Sequence, residues 1–317
     1  MRHKVFYVYL DITNFLAAWS AYRGIMVSPR YALSPKLKSE FPYWAPISFC
    51  VAGLIRNNDF RKLNKELLIE KIRQKYYPSQ ISRLHGIYLW GDKESARKAE
   101  SWRSAQGKHF DLAYLIDVCF TLEKPLTKVD TNWITEYLIN DSAPYDPNNT
   151  YWIHEYWSGN PKPKMEPHWE YIVEGRGILW GNELRYKAYD LLKAECPNSL
   201  GILEYSRMIV DMDIRYNLYT EVSYGDLSPY LIPKSNNKFK LTYYTTLTKP
   251  EELDKNFNEK LKYYRDNIPP SEVNWQALKT FKTGQRVPDL RGMGCEFDAS
   301  NVLLLDLNQL LGMIRPL

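Results

Sequence analysis

Apolar and polar positions along the chain alternate first with a period of two and then with a helical period. VFYVYL, within residues 4–10, has the pattern of a β-strand. NFLAAWSAYR (14–23) follows as a short helix, with Asn14 as its N-cap and Gly24 as its stop. IMVSP is extended and leads into a proline-rich loop through Pro29, Pro35, Pro42 and Pro46. Residues 60–75 carry Leu63, Leu67, Leu68 and Ile72 at helical spacing, which predicts a helix with a charged outer face. GIYLW then predicts a strand, Lys93–Arg103 a helix, 112–122 a buried strand and NWITEYLIN a helix. Residues 142–167 are polar and rich in Pro, Asn, Trp and Tyr, which predicts a long irregular loop. YIVEGRGILWG predicts one or two strands, and NELRYKAYDLLKAE a helix ending before Pro197. Beyond Gly201, ILEYSRMIVDMDIRYNLY fits helix or strand and FKLTYYTTL a strand. Residues 250–267 fit a helix, and 301–314 a packed apolar segment.

Composition narrows this little. The chain has 317 residues, enough for one large or two modest domains with a hydrophobic core. Its aromatic share of 15% matters because such rings fill cores but also stack on bases and nicotinamide. A net charge of +5 permits an anionic partner without requiring one. Cys50, Cys119, Cys196 and Cys295 are far apart and form no CxxC pair, which argues against a zinc cluster or redox dithiol and for a reducing cytoplasm. Asp11 and Asn14 interrupt the first apolar run, which suits a strand better than a leader. No uncharged apolar stretch is long enough to predict a membrane span.

Two segments carry candidate chemistry: GIYLWGDKESARKAE (86–100) and HWEYIVEGRGILWG (168–181). The first joins a Gly-Ile-Tyr strand to a loop with Asp92 and a helix with Ser95 and Ala96. The second, roughly 80 residues later, starts a strand Trp169-Glu170-Tyr171-Ile172-Val173. Together they resemble the poly(ADP-ribose) polymerase-like ADP-ribosyltransferases and the bacterial toxins of that superfamily that modify DNA or RNA. Arg23-Gly24-Ile25 after a strand and a helix resembles the family's opening, and the resemblance covers about residues 4 to 190. It implies an α+β fold: a mixed, largely antiparallel split β-sheet with flanking helices over residues 1–200. Residues 201–317 would then form an α+β extension, packed on the same core or separate from it. One departure is that the first strand, FYVYLD, contains no His or Arg where many members anchor the cofactor.

The resemblance also implies roles. Cleaving the nicotinamide–ribose bond builds positive charge on the sugar, as glycoside cleavage does, and a carboxylate beside the ribose stabilises it. Glu170 is the candidate; the plain alternative is a surface glutamate at a strand end. Tyr88 is the candidate for stacking on nicotinamide and Tyr77 a second; both also suit a core. Arg83 offers a planar fork for the diphosphate, or a surface ion pair. Ser82 suits orientation of the ribose or of Glu170, or a turn cap. Tyr7, Tyr9 and Arg83 are the candidates to replace the missing first-strand anchor, and His168 and Trp169 flank the acceptor side.

Competing motifs are weak. HEYW at 154–157 lacks the second His of a metal helix, and an aromatic segment packing on the site fits it better. GRG at 175–177 and RGMG at 291–294 look like turns, and DMD at 211–213 like a solvated one. The expectation is a cytoplasmic NAD-consuming transferase of toxin or phage-defence type, without a metal. It would pass ADP-ribose to a macromolecule, RNA or DNA ahead of protein, and be restrained by an antitoxin or chaperone. An NAD glycohydrolase and a non-enzymatic nucleic-acid-binding protein on a degenerate transferase fold are the alternatives.

Overall fold

A computed structural model describes residues 2–29, 44–101, 103–104, 107–108, 110–122, 125–139, 146–216, 225–235, 237–245 and 294–298, and the single residues 259, 262 and 312. Apart from those single residues, the expected helix over 250–267 and the closing segment 301–314 lie outside them, as do the turn at 291–293 and most of the proline-rich loop.

Strand β1 (Arg2–Tyr9) buries Phe6 and Val8 and leaves Val5 exposed, as its alternation requires. Helix α1 (Phe15–Arg23) starts where the Asn14 side chain accepts the Leu16 N–H, and ends at Gly24, whose φ of 78° is left-handed. After β2 (Ile25–Val27) and β3 (Ala45–Pro46), Ser48 caps α2 (Phe49–Arg56) and Asp59 caps α3 (Phe60–Tyr76). Strand β4 (Ile87–Trp90) leads through the Asp92 cap into α4 (Lys93–Ala99). The two-residue strands β5 (Arg103–Ser104) and β6 (Gly107–Lys108) pair with each other. Strands β7 (Leu115–Leu122) and β8 (Thr127–Asp130) come next, then α5 (Asn132–Ile134), which runs on as a π-turn over Thr135–Ile139. The segment expected to be irregular contains α6 (Tyr151–Trp157), because Trp152, Ile153, Tyr156 and Trp157 make one apolar face and bury it.

Beyond it lie β9 (Trp169–Val173), β10 (Gly175–Leu179), α7 (Asn182–Glu195), α8 (Leu200–Tyr216), β11 (Leu227–Pro233), β12 (Lys238–Thr245) and β13 (Cys295–Asp298). GRG is therefore strand rather than turn; a Cβ on Gly177 would lie 2.4 Å from the Phe120 ring, which covers it. DMD lies inside α8, where Asp211 accepts from Arg207 Nε at 2.8 Å.

The fold is α+β with antiparallel sheets. The larger sheet has the order β2-β10-β7-β1-β4-β9-β8, and every pair in it is antiparallel. β1 pairs with β7 over eight residues, from Arg2↔Leu122 to Tyr9↔Leu115. On its other side it meets β4 only at Tyr7↔Trp90. The sheet is thus nearly parted between β1 and β4. A second antiparallel sheet, β13-β12-β11-β3, recruits Ala45 and Pro46 to the strands of the C-terminal part.

One core joins the two parts of the chain. Phe6, Trp19 and Val118 share a cluster with Ile202, Leu203, Leu231, Phe239 and Phe297. Between them, Arg23 forms a buried ion pair with Asp226 and a hydrogen bond to Ser206, and Trp19 Nε1 donates to the Gly225 carbonyl at 2.8 Å. Arg23, the first residue of the Arg23-Gly24-Ile25 resemblance, is thereby a strut. A second cluster packs α3, α5 and α6 beneath β8 and β9. No helix among the described residues is long and apolar enough to cross a membrane.

Candidate functional site

The face of α3 that looked solvated is buried at its charged positions. Lys65, Glu66 and Glu70 are each under 5% exposed. The segment 77–86 folds back on the helix and brings partners to Glu66 and Glu70, and the π-turn after α5 brings one to Lys65. Glu70 accepts from Ser82 Oγ at 2.8 Å and from Arg73 through both oxygens; Lys65 Nζ donates to the Tyr137 carbonyl at 2.8 Å. Glu66 receives Arg83 in a bidentate pair, with Nε at 2.9 Å and Nη2 at 2.8 Å.

Arg83 is the hub. Its Nη1 donates to the Tyr156 hydroxyl of α6 at 2.7 Å and lies 3.7 Å from Glu170 Oε2. Its guanidinium lies over the Tyr88 ring at 4.8 Å, and the Tyr88 hydroxyl donates to the Arg83 carbonyl at 2.5 Å. The fork that a diphosphate would need is engaged by Glu66, so Arg83 serves the site as an anchor.

Glu170 is the second residue of β9, in register with Trp90 on one side and Val129 on the other. Its side chain is 14% exposed, and no described residue gives it a hydrogen bond. Burial pushes its carboxyl up to about 7; Arg83 pulls against this, and Glu66 adds to it. It is therefore a carboxyl that ionises near neutral pH, in a long ion pair with a guanidinium whose fork Glu66 already holds.

A cavity of about 340 Å³ opens here, a size within the range of small-molecule sites. Glu170, Arg83 and Tyr88 line it on one side, and Tyr9, Asp11 and Asn14 from the end of β1 and the start of α1 on the other. It lies where β1 and β4 part. Tyr9 stacks on Phe110, with centroids 4.7 Å apart, and Trp90 meets Phe110 edge-on; all three rings reach the wall. The Tyr9 hydroxyl donates to the Ala96 carbonyl at 2.7 Å, which explains the small residues of α4: Ala96 and Ala99 are fully buried against β1 and β4. Burial raises the Tyr9 phenol to about 12. Ser48 and Cys50 at the start of α2 close another side.

The structure thus brings Tyr9, Arg83, Tyr88 and Glu170 together and places the other candidates elsewhere. Ser82 caps its own turn, accepting the Leu84 N–H at 3.1 Å while bonded to Glu70. Tyr77 contacts His154 and Ser158 at 3.2 Å on the outer side of α6. Tyr7 packs on Trp90, Ala96 and Ala99 without reaching the cavity wall. His168 is buried, with Nε2 2.8 Å from the Ser95 carbonyl and its ring tilted on Trp90. Trp169 points opposite to Glu170 by strand alternation and carries Lys128 over its ring at 4.0 Å. Sequence reasoning missed Glu66, Cys50 and Phe110. It expected the Tyr156 segment to pack on the site, but not its hydroxyl on Arg83. All four cysteines are free, and no cluster of three or more His, Cys, Asp or Glu among the described residues is arranged to hold a metal.

Residues 51–178, from α2 to β10, match a family described as a protein of unknown function, DUF2441. The match spans Glu66, Arg83, Tyr88 and Glu170 but neither β1 nor the second sheet's long strands. No curated protein matches the chain.

Proposed function

We propose that the protein is an ADP-ribosyltransferase that cleaves NAD at the nicotinamide–ribose bond and passes ADP-ribose to a macromolecule, nucleic acid ahead of protein. The observation that carries this reading is Glu170: a carboxylate in the wall of a cavity, with no hydrogen-bond donor from the described residues and aromatic rings around it. Its one charged partner, Arg83, stands 3.7 Å away without a hydrogen bond, and a buried carboxylate so weakly compensated at a cavity wall supports a functional role.

In the proposed reaction the bonding pair leaves with the nicotinamide nitrogen. Positive charge grows on the ribose, and ionised Glu170 stabilises it at short range in a largely apolar pocket. An acceptor nucleophile then forms the new bond at the anomeric carbon and loses its proton to water. Tyr88 and the Tyr9–Phe110–Trp90 wall offer faces for planar rings. The near-parting of the sheet at Tyr7↔Trp90 supports a split-sheet core of transferase type. The mild positive charge suits an anionic acceptor. A cytoplasmic site of action and an antitoxin or chaperone partner belong to the same reading.

The test is release of nicotinamide from labelled NAD by the wild type and Glu170→Gln, with RNA, DNA or protein lysate as acceptor. Label should move onto nucleic acid, and turnover should fall at least about 100-fold in the variant, the usual scale for losing one charge-stabilising group. Free ADP-ribose as sole product would make it a glycohydrolase. Neither NAD binding nor turnover by the wild type would sink the reading and favour a binding protein.

A further inference from the structure

Two carboxylates face one guanidinium, and they share it unequally. Glu66 of α3 holds the fork of Arg83 on both oxygens, at 2.8 and 2.9 Å. Glu170 of β9 stands 3.7 Å from Nη1, and that nitrogen already donates to Tyr156 of α6. Glu66 and Arg83 are at most 5% exposed, so water does little to loosen their pair. Were Glu66 absent, the nearest anion to Arg83 would be Glu170, which would close on it.

We propose that Glu66 is a positioning residue: by occupying the Arg83 fork it holds the Arg83–Glu170 ion pair at 3.7 Å, short of a hydrogen bond, and keeps that carboxylate at the cavity wall. The inference rests on the reading of Glu170 as the ribose-facing group. A carboxylate hydrogen-bonded to an arginine fork has less field left for a developing cation than one held 3.7 Å from the guanidinium without a hydrogen bond.

The groups around Glu170 are Glu66 from α3, Arg83 from the segment before β4, Tyr88 from β4, Tyr156 from α6 and Cys50 from α2. Burial keeps both phenols protonated through neutral pH. Replacing Glu66 with neutral glutamine removes a like charge and leaves one acceptor oxygen where the fork had two. Both changes favour ionised Glu170, so its titration midpoint must fall. Replacing Tyr156 with Phe frees only one N–H of Nη1 and should act in the same direction, less strongly.

The experiment is carboxyl-carbon NMR titration of the full chain labelled at glutamate, with the Glu170 signal assigned by its loss in Glu170→Gln. The wild-type midpoint is expected near 7. It should fall by at least about one unit in Glu66→Gln, the usual lower bound for gaining a close opposite charge. The acid limb of nicotinamide release should move with it, and the plateau should drop. A midpoint that stays or rises in both variants overturns the proposal. If Glu66→Gln gives no folded chain, the direction of the shift in Tyr156→Phe decides alone. If the midpoint falls as expected but the wild type releases no nicotinamide, the electrostatic arrangement stands while the catalytic reading, and with it the purpose given to Glu66, falls.

Discussion

Glu170 should weaken the fold at the pH where it would work. Its carboxyl is raised from 4.5 to about 7. The folded chain therefore binds that proton more tightly than the unfolded one. The associated stability is complete below about 4.5 and is lost as pH rises through 7. Glu170→Gln removes the loss. The variant should match the wild type near pH 4.5 and exceed it at pH 8 by roughly 1–3 kcal/mol. Urea melts at both values check this, and a variant less stable at pH 8 would mark Glu170 as a structural partner of Arg83. Gly86 is constrained on the same wall. A Cβ there would sit 2.2 Å from Ile172 Cγ2 and 2.9 Å from the Ser82 carbonyl, both held by packed structure. Gly86→Ala should cost about 1–3 kcal/mol by overpacking, read as a lower midpoint in the same melts.

At the level of elements, the segment entering β9 is fixed by one side chain. Asp130, fully buried at the end of β8, accepts backbone N–H groups from Asn132 and His168 on one oxygen and from Lys162 on the other. The chain from 159 to 168 is thereby pinned two residues before Glu170. Asp130→Asn keeps one acceptor oxygen and should cost about 1–3 kcal/mol. Limited proteolysis should then cut between 159 and 168 faster than in the wild type; an unchanged rate would show that neighbouring contacts suffice. The elements legible in the sequence are those whose signals are local. Asn14 and Gly24 bracket α1 as expected, and the alternation of β1 gives its buried face. Tyr9, Arg83, Tyr88 and Glu170 were legible by type and order, and they do meet. What was not legible depends on distant partners. Glu66 reads as a solvated helix charge until Arg83 folds back onto it, and α6 is masked by the proline- and asparagine-rich sequence around it. Ser82 and Tyr77 lie close to Arg83 in sequence, yet the turn at 77–86 sends them to Glu70 and His154.

For the whole molecule, the decisive feature is that α1 belongs to both parts of the chain. It follows β1 and borders the cavity through Asn14, Ala17 and Ser20. Its other side packs on α7, α8 and β11, and its last residue, Arg23, pairs with Asp226. Burial raises the Asp226 carboxyl while Arg23 pulls it back, so each charge depends on the other. Asp226→Asn would remove the carboxylate charge from the Arg23 pair and should lower stability by about 3–5 kcal/mol, read in urea melts. The larger consequence concerns residues 201–317. Ile202, Leu203, Leu227, Leu231, Phe239 and Leu241 complete the cluster that contains Phe6, Leu16 and Trp19. A chain ending at residue 200 would expose the back of α1, and with it the element that sets one cavity wall. Such a fragment should show no cooperative thermal transition by circular dichroism and none of the NAD binding proposed for the full chain. A fragment that melts cooperatively would make the C-terminal part an addition to a self-sufficient unit; its failure to fold would mean that the cavity is a property of the joined core.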